Sequence, residues 1–273
     1  MARRENIVAA LRQSVAKIDG TQERLAIQHG QRRLRIGVPA IDTLLDGGLV
    51  TNDMHELRCS LSRDISAAAG FLFGLFSGLD SNDDIAWICD PSAVLDSGRL
   101  FPDGLAHFGF DSSRLIHIYP MDFNDCLWAA GEAAKTSGLA AVVLHLKGNV
   151  KAFDLSATRK LMLRAQSSQT PVFILRQAGE EEASSAATRW HVAPVQAVGD
   201  GIYNKGLGHM RLTLTLEKNR NGQTGQWTVA WNPQARSYEH VASTHSLLPF
   251  YPSADRQDSA SKMGQIVALE KAS

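Results

Sequence analysis

The chain has 273 residues, of which 44% are hydrophobic and 21% charged, so it can build a sizeable core as one large domain or one and a half. Its 28 Lys and Arg balance 28 Asp and Glu, which argues against a broadly basic nucleic-acid binder while leaving room for a local basic patch. The three cysteines, Cys59, Cys89 and Cys126, lack C-x-x-C spacing, and no apolar run approaches the roughly 18 residues of a membrane span. Neither a disulfide framework nor a zinc knuckle is suggested, and a reduced cytosol fits best.

The start does not read as a signal peptide, because Arg3 and Arg4 lead into an amphipathic segment. Within residues 3–19, Ile7, Leu11, Val15 and Ile18 form one helical stripe, and Gly20 stops it. Residues 1–30 therefore read as a basic amphipathic N-terminal helix. The first 35 residues carry eight Lys and Arg against three acids. Arg3, Arg4, Arg12, Arg32 and Arg33 are candidates for contact with DNA phosphate or an acidic partner. The lack of interleaved aromatics favours the plainer reading, a solvated helix face docked on the core.

Residues 35–76 organise the rest. A short helix (Ile41, Leu44, Leu45) is stopped by Gly47 and Gly48; a strand (Met54 to Arg58), a loop and a second helix carrying Phe71, Leu72, Leu75 and Phe76 follow. Strand, loop, helix is where nucleotide-binding proteins place phosphate, because free backbone N–H groups and the helix dipole face the anion. The chemistry needs G-x-x-x-x-G-K-[ST]. Here Cys59 replaces the first glycine, Asp64 the second and Ile65 the lysine, and only Ser66 fits. Asp64 facing phosphate at about 4 Å would meet a repulsion of roughly 1 kcal/mol in water and about 4 kcal/mol at an intermediate dielectric. The stretch is a phosphate loop in outline without its cation. Ser60, Ser62 and Ser66 lie outside any G-x-S-x-G elbow and are expected to cap the helix that begins near Asp64.

Downstream, strands are expected at 84–89, 115–119, 140–146 and 171–176, with helices at about 97–107, 122–137 and 154–168. This alternation predicts a mostly parallel sheet covered by helices on both faces. Residues 178–188 and 199–208 read as loops around a short strand containing Trp190 and Val192. Met210 to Lys218 and Gln226 to Trp231 read as an antiparallel hairpin. A magnesium-positioning acid is missing from the end of strand 140–146, which runs into His145, Leu146 and Lys147. His117 and His145 read as satisfied core or strand-end residues, and no metal site is supported. From 251 to 273 the chain is a polar tail whose apolar island, Ile266, Val267 and Leu269, is equally a docking peptide or a frayed end.

Several stretches together resemble RecA-family ATPase cores. They are G-V-P-A-I-D-T-L-L-D-G-G-L, D-D-I-A-W-I-C-D at 83–90, L-A-H-F-G-F-D-S-S-R-L-I-H-I-Y at 105–119 and A-A-V-V-L-H-L at 140–146. A-T-R-W-H-V at 187–192 and E-K-N-R-N-G-Q-T-G-Q-W-T-V-A-W at 217–231 are similar to the ImuA family, RecA-like accessory proteins of bacterial mutagenesis operons related to SulA-like proteins. The likeness spans about residues 31–250. It implies an α/β RecA-like core, a mostly parallel sheet with an antiparallel C-terminal hairpin.

In hydrolysing relatives a glutamate follows the strand matching 84–89, whereas here Asp90-Pro91-Ser92 puts Ser92 at that position. Asp90 reads as a turn former rather than a substitute base. Relatives that bind DNA carry contact loops at the position of residues 178–208. Glu180, Glu181 and Glu182 would repel a phosphate backbone there, and read as a solvated loop. The resemblance implies a non-enzymatic cytoplasmic scaffold without cofactor, acting in SOS-response translesion synthesis. Its expected partners are an ImuB-like inactive Y-family polymerase protein and, through it, an error-prone replicative-type polymerase, with RecA as a second candidate. Direct DNA contact is left open. Two alternatives stand beside it: a RecA-like DNA-dependent ATPase with an aberrant phosphate loop, and a SulA-like inhibitor of cell division.

Overall fold

A computed structural model describes residues 32–79, 83–196, 209–220 and 222–241. The segments expected as N-terminal helix and C-terminal tail, with Arg3, Arg4, Arg12, Ile266, Val267 and Leu269, lie outside the described residues, as does the expected loop 199–208.

The described chain opens with β1 (Arg33–Leu34), α1 (Pro39–Leu44) and β2 (Leu49–Val50). β1 and β2 pair antiparallel as a separate ribbon. The turn between α1 and β2 requires Gly48: its φ is +127°, and an added Cβ would run into the Leu34 carbonyl. Next come β3 (Met54–Arg58), a 3-10 turn (Ser62–Asp64) and α2 (Ile65–Phe76). Then follow β4 (Asp84–Cys89), α3 (Pro91–Ser97), α4 (Pro102–Ala106), β5 (Leu115–Ile118), α5 (Phe123–Ala133), β6 (Leu139–Lys147), α6 (Leu155–Ser168) and β7 (Val172–Gln177). β8 (Thr188–Val195), β9 (Arg211–Asn219), β10 (Gly225–Asn232) and β11 (Ser237–His240) complete it.

Nine strands form one sheet in the order β11-β10-β9-β8-β3-β7-β6-β4-β5. From β8 to β5 every pairing is parallel; β9, β10 and β11 add antiparallel strands at the other edge. β3 lies near the middle, so the loop after it emerges from the centre of the sheet. The apolar runs of β4 and β6 are buried on both faces, as continuous hydrophobicity in a parallel strand predicts. In β6, Ala141 and Val143 pack with α2, while Val142, Leu144 and Leu146 pack with α5 and α6. β5 is different. As the edge strand it leaves Ile116 and His117 exposed, and His117 Nδ1 lies 3.0 Å from the Tyr119 hydroxyl instead of entering the core.

Two expectations need correction. The helix expected at 97–107 shortens to α4, opened by Pro102, and an unexpected helix, α3, precedes it and ends where Gly98 takes φ +77°. The serines do not cap α2: its N-cap is Asp64, which makes no side-chain cap bond, and the preceding turn absorbs the chain instead. β11, a third C-terminal strand, goes beyond the expected hairpin. Its Tyr238 packs on Phe71 and donates to the carbonyls of Gly70 and Phe71 at 3.0 and 3.2 Å, tying that edge of the sheet to α2.

Candidate functional site

The loop after β3 is closed upon itself. Cys59 is fully buried, its N–H donating to the Arg176 carbonyl at 3.1 Å and its own carbonyl accepting from Gly179 N–H at 3.1 Å. Asp64 N–H donates back to Leu61 O at 3.0 Å, and Ile65 N–H donates to Ser62 O. The Asp64 and Ile65 N–H groups are two that a phosphate cradle would leave free, and the 3-10 turn uses both internally. Ile65, the first residue of α2, is buried in the core, whereas a lysine at that position would reach outward to phosphate. Ser66 is exposed, and Ser60 Oγ lies 2.9 Å from His191 Nε2.

Beside this loop is a cavity of ≈ 280 Å³ lined mainly by Ile65, Phe73, Trp87, Leu105, Phe108 and Tyr119. A polar relay reaches its wall: Cys89 Sγ lies 3.2 Å from His145 Nδ1, and His145 Nε2 lies 3.1 Å from Gln177 Oε1. Gln177 Nε2 donates to Asp96 at 2.7 Å, and Lys147 pairs with Asp96 at 3.2 Å. A cysteine beside a histidine suggests a nucleophile, but the environment opposes it. Burial pushes the Cys89 thiol up to about 11 and the His145 imidazole down to about 4, so both rest neutral. Asp90, at the end of β4, is buried and accepts from the Ser92 hydroxyl. Among the described residues no group of His, Cys, Asp or Glu could hold a metal ion.

This geometry, a central parallel strand followed by a turn and helix with antiparallel strands at one edge, matches a solved structure. The RadB recombinase aligns with a TM-score of 0.51 at 18% identity, over 77% of this chain and 100% of that one. The fold is RecA-like. No family model matches the chain, and neither does any curated protein. The match shows the fold alone, at an identity where site chemistry does not transfer.

The remaining predicted residues are scattered. Arg32 is exposed, whereas Arg33 donates to the carbonyls of Leu45 and Gly48 at 3.1 and 3.2 Å. The acidic run is not simply solvated: Glu181 pairs with Arg189 at 3.1 Å and Glu182 with Arg176 at 3.4 Å. These pairs extend a buried network that the sequence pattern did not announce. Glu56, on β3, accepts from Arg176 at 2.5 Å, Ser184 at 2.7 Å and Arg189 at 3.2 Å. Burial alone would raise the Glu56 pKa, but Arg176, Ser184 and Arg189 outweigh it and hold it below the ordinary glutamate value. The signal was present in M-H-E-L-R and V-F-I-L-R-Q, where Glu56 and Arg176 interrupt two adjoining strands of a parallel sheet. Arg58 pairs with Glu217 nearby, fastening β3 to β9.

Proposed function

We propose that this chain is a non-catalytic accessory protein of damage-induced mutagenesis, a RecA-like fold that works by protein contact without nucleotide chemistry. The observation that carries the first half is the closed loop: Ile65 is buried in place of the lysine, and the Asp64 and Ile65 N–H groups are already bonded within the turn. Inserting a nucleotide there requires breaking those bonds and bringing triphosphate against Asp64. The ImuA-like stretches at 187–192 and 217–231 support the second half, with an ImuB-like inactive Y-family protein as the direct partner and RecA as the other candidate. An error-prone replicative-type polymerase would be engaged through the first.

Exposed apolar side chains follow the C-terminal ends of β3, β4 and β5: Leu61, Leu95, Phe101, Tyr119 and Met121. They supply the kind of surface a partner covers. Among the described residues no helix is long and apolar enough to cross a membrane. The test is damage-induced mutation frequency in the source organism with and without the gene, beside affinity purification with an ImuB-like protein and with RecA. The proposal expects induced mutation to collapse while spontaneous mutation is unchanged, with at least one partner retained at micromolar concentration. Unchanged induced mutation overturns the role. Cell filamentation on overexpression, without a mutagenesis defect, would favour division inhibition instead.

A further inference from the structure

At the opposite end of the sheet, around the start of β3, lies a larger cavity of ≈ 760 Å³. Its wall combines the β1–β2 ribbon, α6, the start of β8 and the end of β9. Four cations line it, Arg33, Arg159, Lys218 and Arg220, against a single acid, Asp53. That acid is already engaged, since Arg220 reaches both of its oxygens, at 2.6 and 3.4 Å. Lys218 Nζ donates to the Ser184 carbonyl at 2.6 Å, which satisfies a proton but not the charge. Burial first, then the nearby Arg189 and Arg220, lower the Lys218 pKa against the opposing pull of Glu56 and Asp53. Arg159 stands exposed on α6, a helix with no Asp or Glu anywhere along it.

A second observation points independently to a ligand. Asn52 lines the same cavity, is 6% exposed, and its Oδ1 has no hydrogen-bond partner among the described residues. A buried amide oxygen left unsatisfied is destabilising, so such atoms mark positions where a partner is missing. Apolar side chains sit between the charges: Leu45, Met162 and Leu163, the last half-exposed.

We propose that this cavity binds an acidic, amphipathic peptide segment of a partner protein, its carboxylates against Arg159, Lys218 and Arg220, its apolar side chains against Met162 and Leu163, and its backbone on Asn52. Two features select a peptide over a nucleic acid. Among the described lining residues no Phe, Tyr or Trp offers a base-stacking platform. A peptide backbone brings N–H donors, which the unpartnered Asn52 Oδ1 requires, whereas a phosphodiester backbone offers only acceptors. The chain's own residues 1–31, which lead into Arg33, are a poor occupant: they carry five Lys and Arg against three acids, the same sign as the cavity. The inference rests on this cavity and stands apart from the mutagenesis role.

The experiment is fluorescence anisotropy on the full chain with three probes: a labelled 12-residue peptide alternating Glu and Leu, the same peptide with Lys for Glu, and an oligo-dT of matching charge. The Glu-Leu peptide should bind saturably, more tightly than both other probes, and weaken as salt rises. Arg159→Glu, at an exposed position that need not disturb folding, should weaken it about tenfold, whereas Lys151→Glu, outside the cavity, should change it less than about twofold. Asn52→Ala should weaken it while circular dichroism confirms folding, a separate readout from charge. Absence of saturable peptide binding, equal binding by the Arg159→Glu variant, or tighter binding of oligo-dT would each overturn the proposal.

Discussion

Replacing Glu56 by Gln keeps the shape of the buried network and removes its only fully buried negative charge. Arg176 is 0% exposed and the Arg189 side chain 4%, so both guanidiniums would stay in the interior with less counter-charge. Breaking a buried pair by removing one partner costs about 3–5 kcal/mol. Here Glu182 and Glu181 still face the two arginines at 3.4 and 3.1 Å, which places the expected loss at the lower end, about 3 kcal/mol. For a domain of this size that is a drop in Tm of roughly 6–12 °C. Urea and thermal unfolding of both proteins at pH 7, 5 and 3.5 would measure it. Because the Glu56 pKa is lowered in the folded state, its contribution is complete above the ordinary glutamate range near 4.5 and fades as pH falls through the folded value. The difference between the proteins should therefore be full at pH 7 and 5 and smaller at 3.5. A loss under about 1 kcal/mol at pH 7, or one independent of pH, would refute the view that Glu56 holds the network together.

Other outcomes follow from particular contacts. His145, held neutral by burial with a pKa of about 4, binds no proton between pH 6.5 and 4 while the unfolded chain does, so stability falls as pH drops through that window. The change is on the order of 3 kcal/mol, and a His145→Asn variant should lose that part of the pH dependence in urea titrations. Gly74→Ala should destabilise by about 1–3 kcal/mol in thermal unfolding, because its Cβ would overlap the Tyr238 ring and hydroxyl, and shortening that side chain with Tyr238→Leu should partly relieve the variant. Cys59, Cys89 and Cys126 are all buried, and their thiols are raised chiefly by burial, so iodoacetamide at pH 8 should label none of them until denaturant is added.

Strands buried on both faces were legible because their residues are mostly apolar: D-I-A-W-I-C and L-A-A-V-V-L-H-L fall within a residue of their expected bounds. So was the strand, loop and helix at Met54 to Phe76, marked by periodicity changing from two to about 3.6. The lost phosphate motif was readable residue by residue. Its consequence, a loop that turns its own N–H groups inward, was not, because a 3-10 turn depends on backbone geometry that L-S-R-D does not encode by type alone. The helix at 97–107 failed at Gly98, whose positive φ outweighed the apolar spacing around it. The acidic run was misread because charge in a loop says nothing about which arginines arrive from β7 and β8. Both cavities are assembled from segments well separated along the chain, and no local pattern marks them.

The measurement that bears most directly on the account is a calorimetric titration of the full chain with MgATP, with and without single-stranded DNA, followed by phosphate release. A closed loop with Ile65 buried and its N–H groups already bonded predicts no saturable binding up to about millimolar nucleotide and no release above background. Saturable binding that single-stranded DNA strengthens, with phosphate released, would show that the loop opens and that the chain is an ATPase after all.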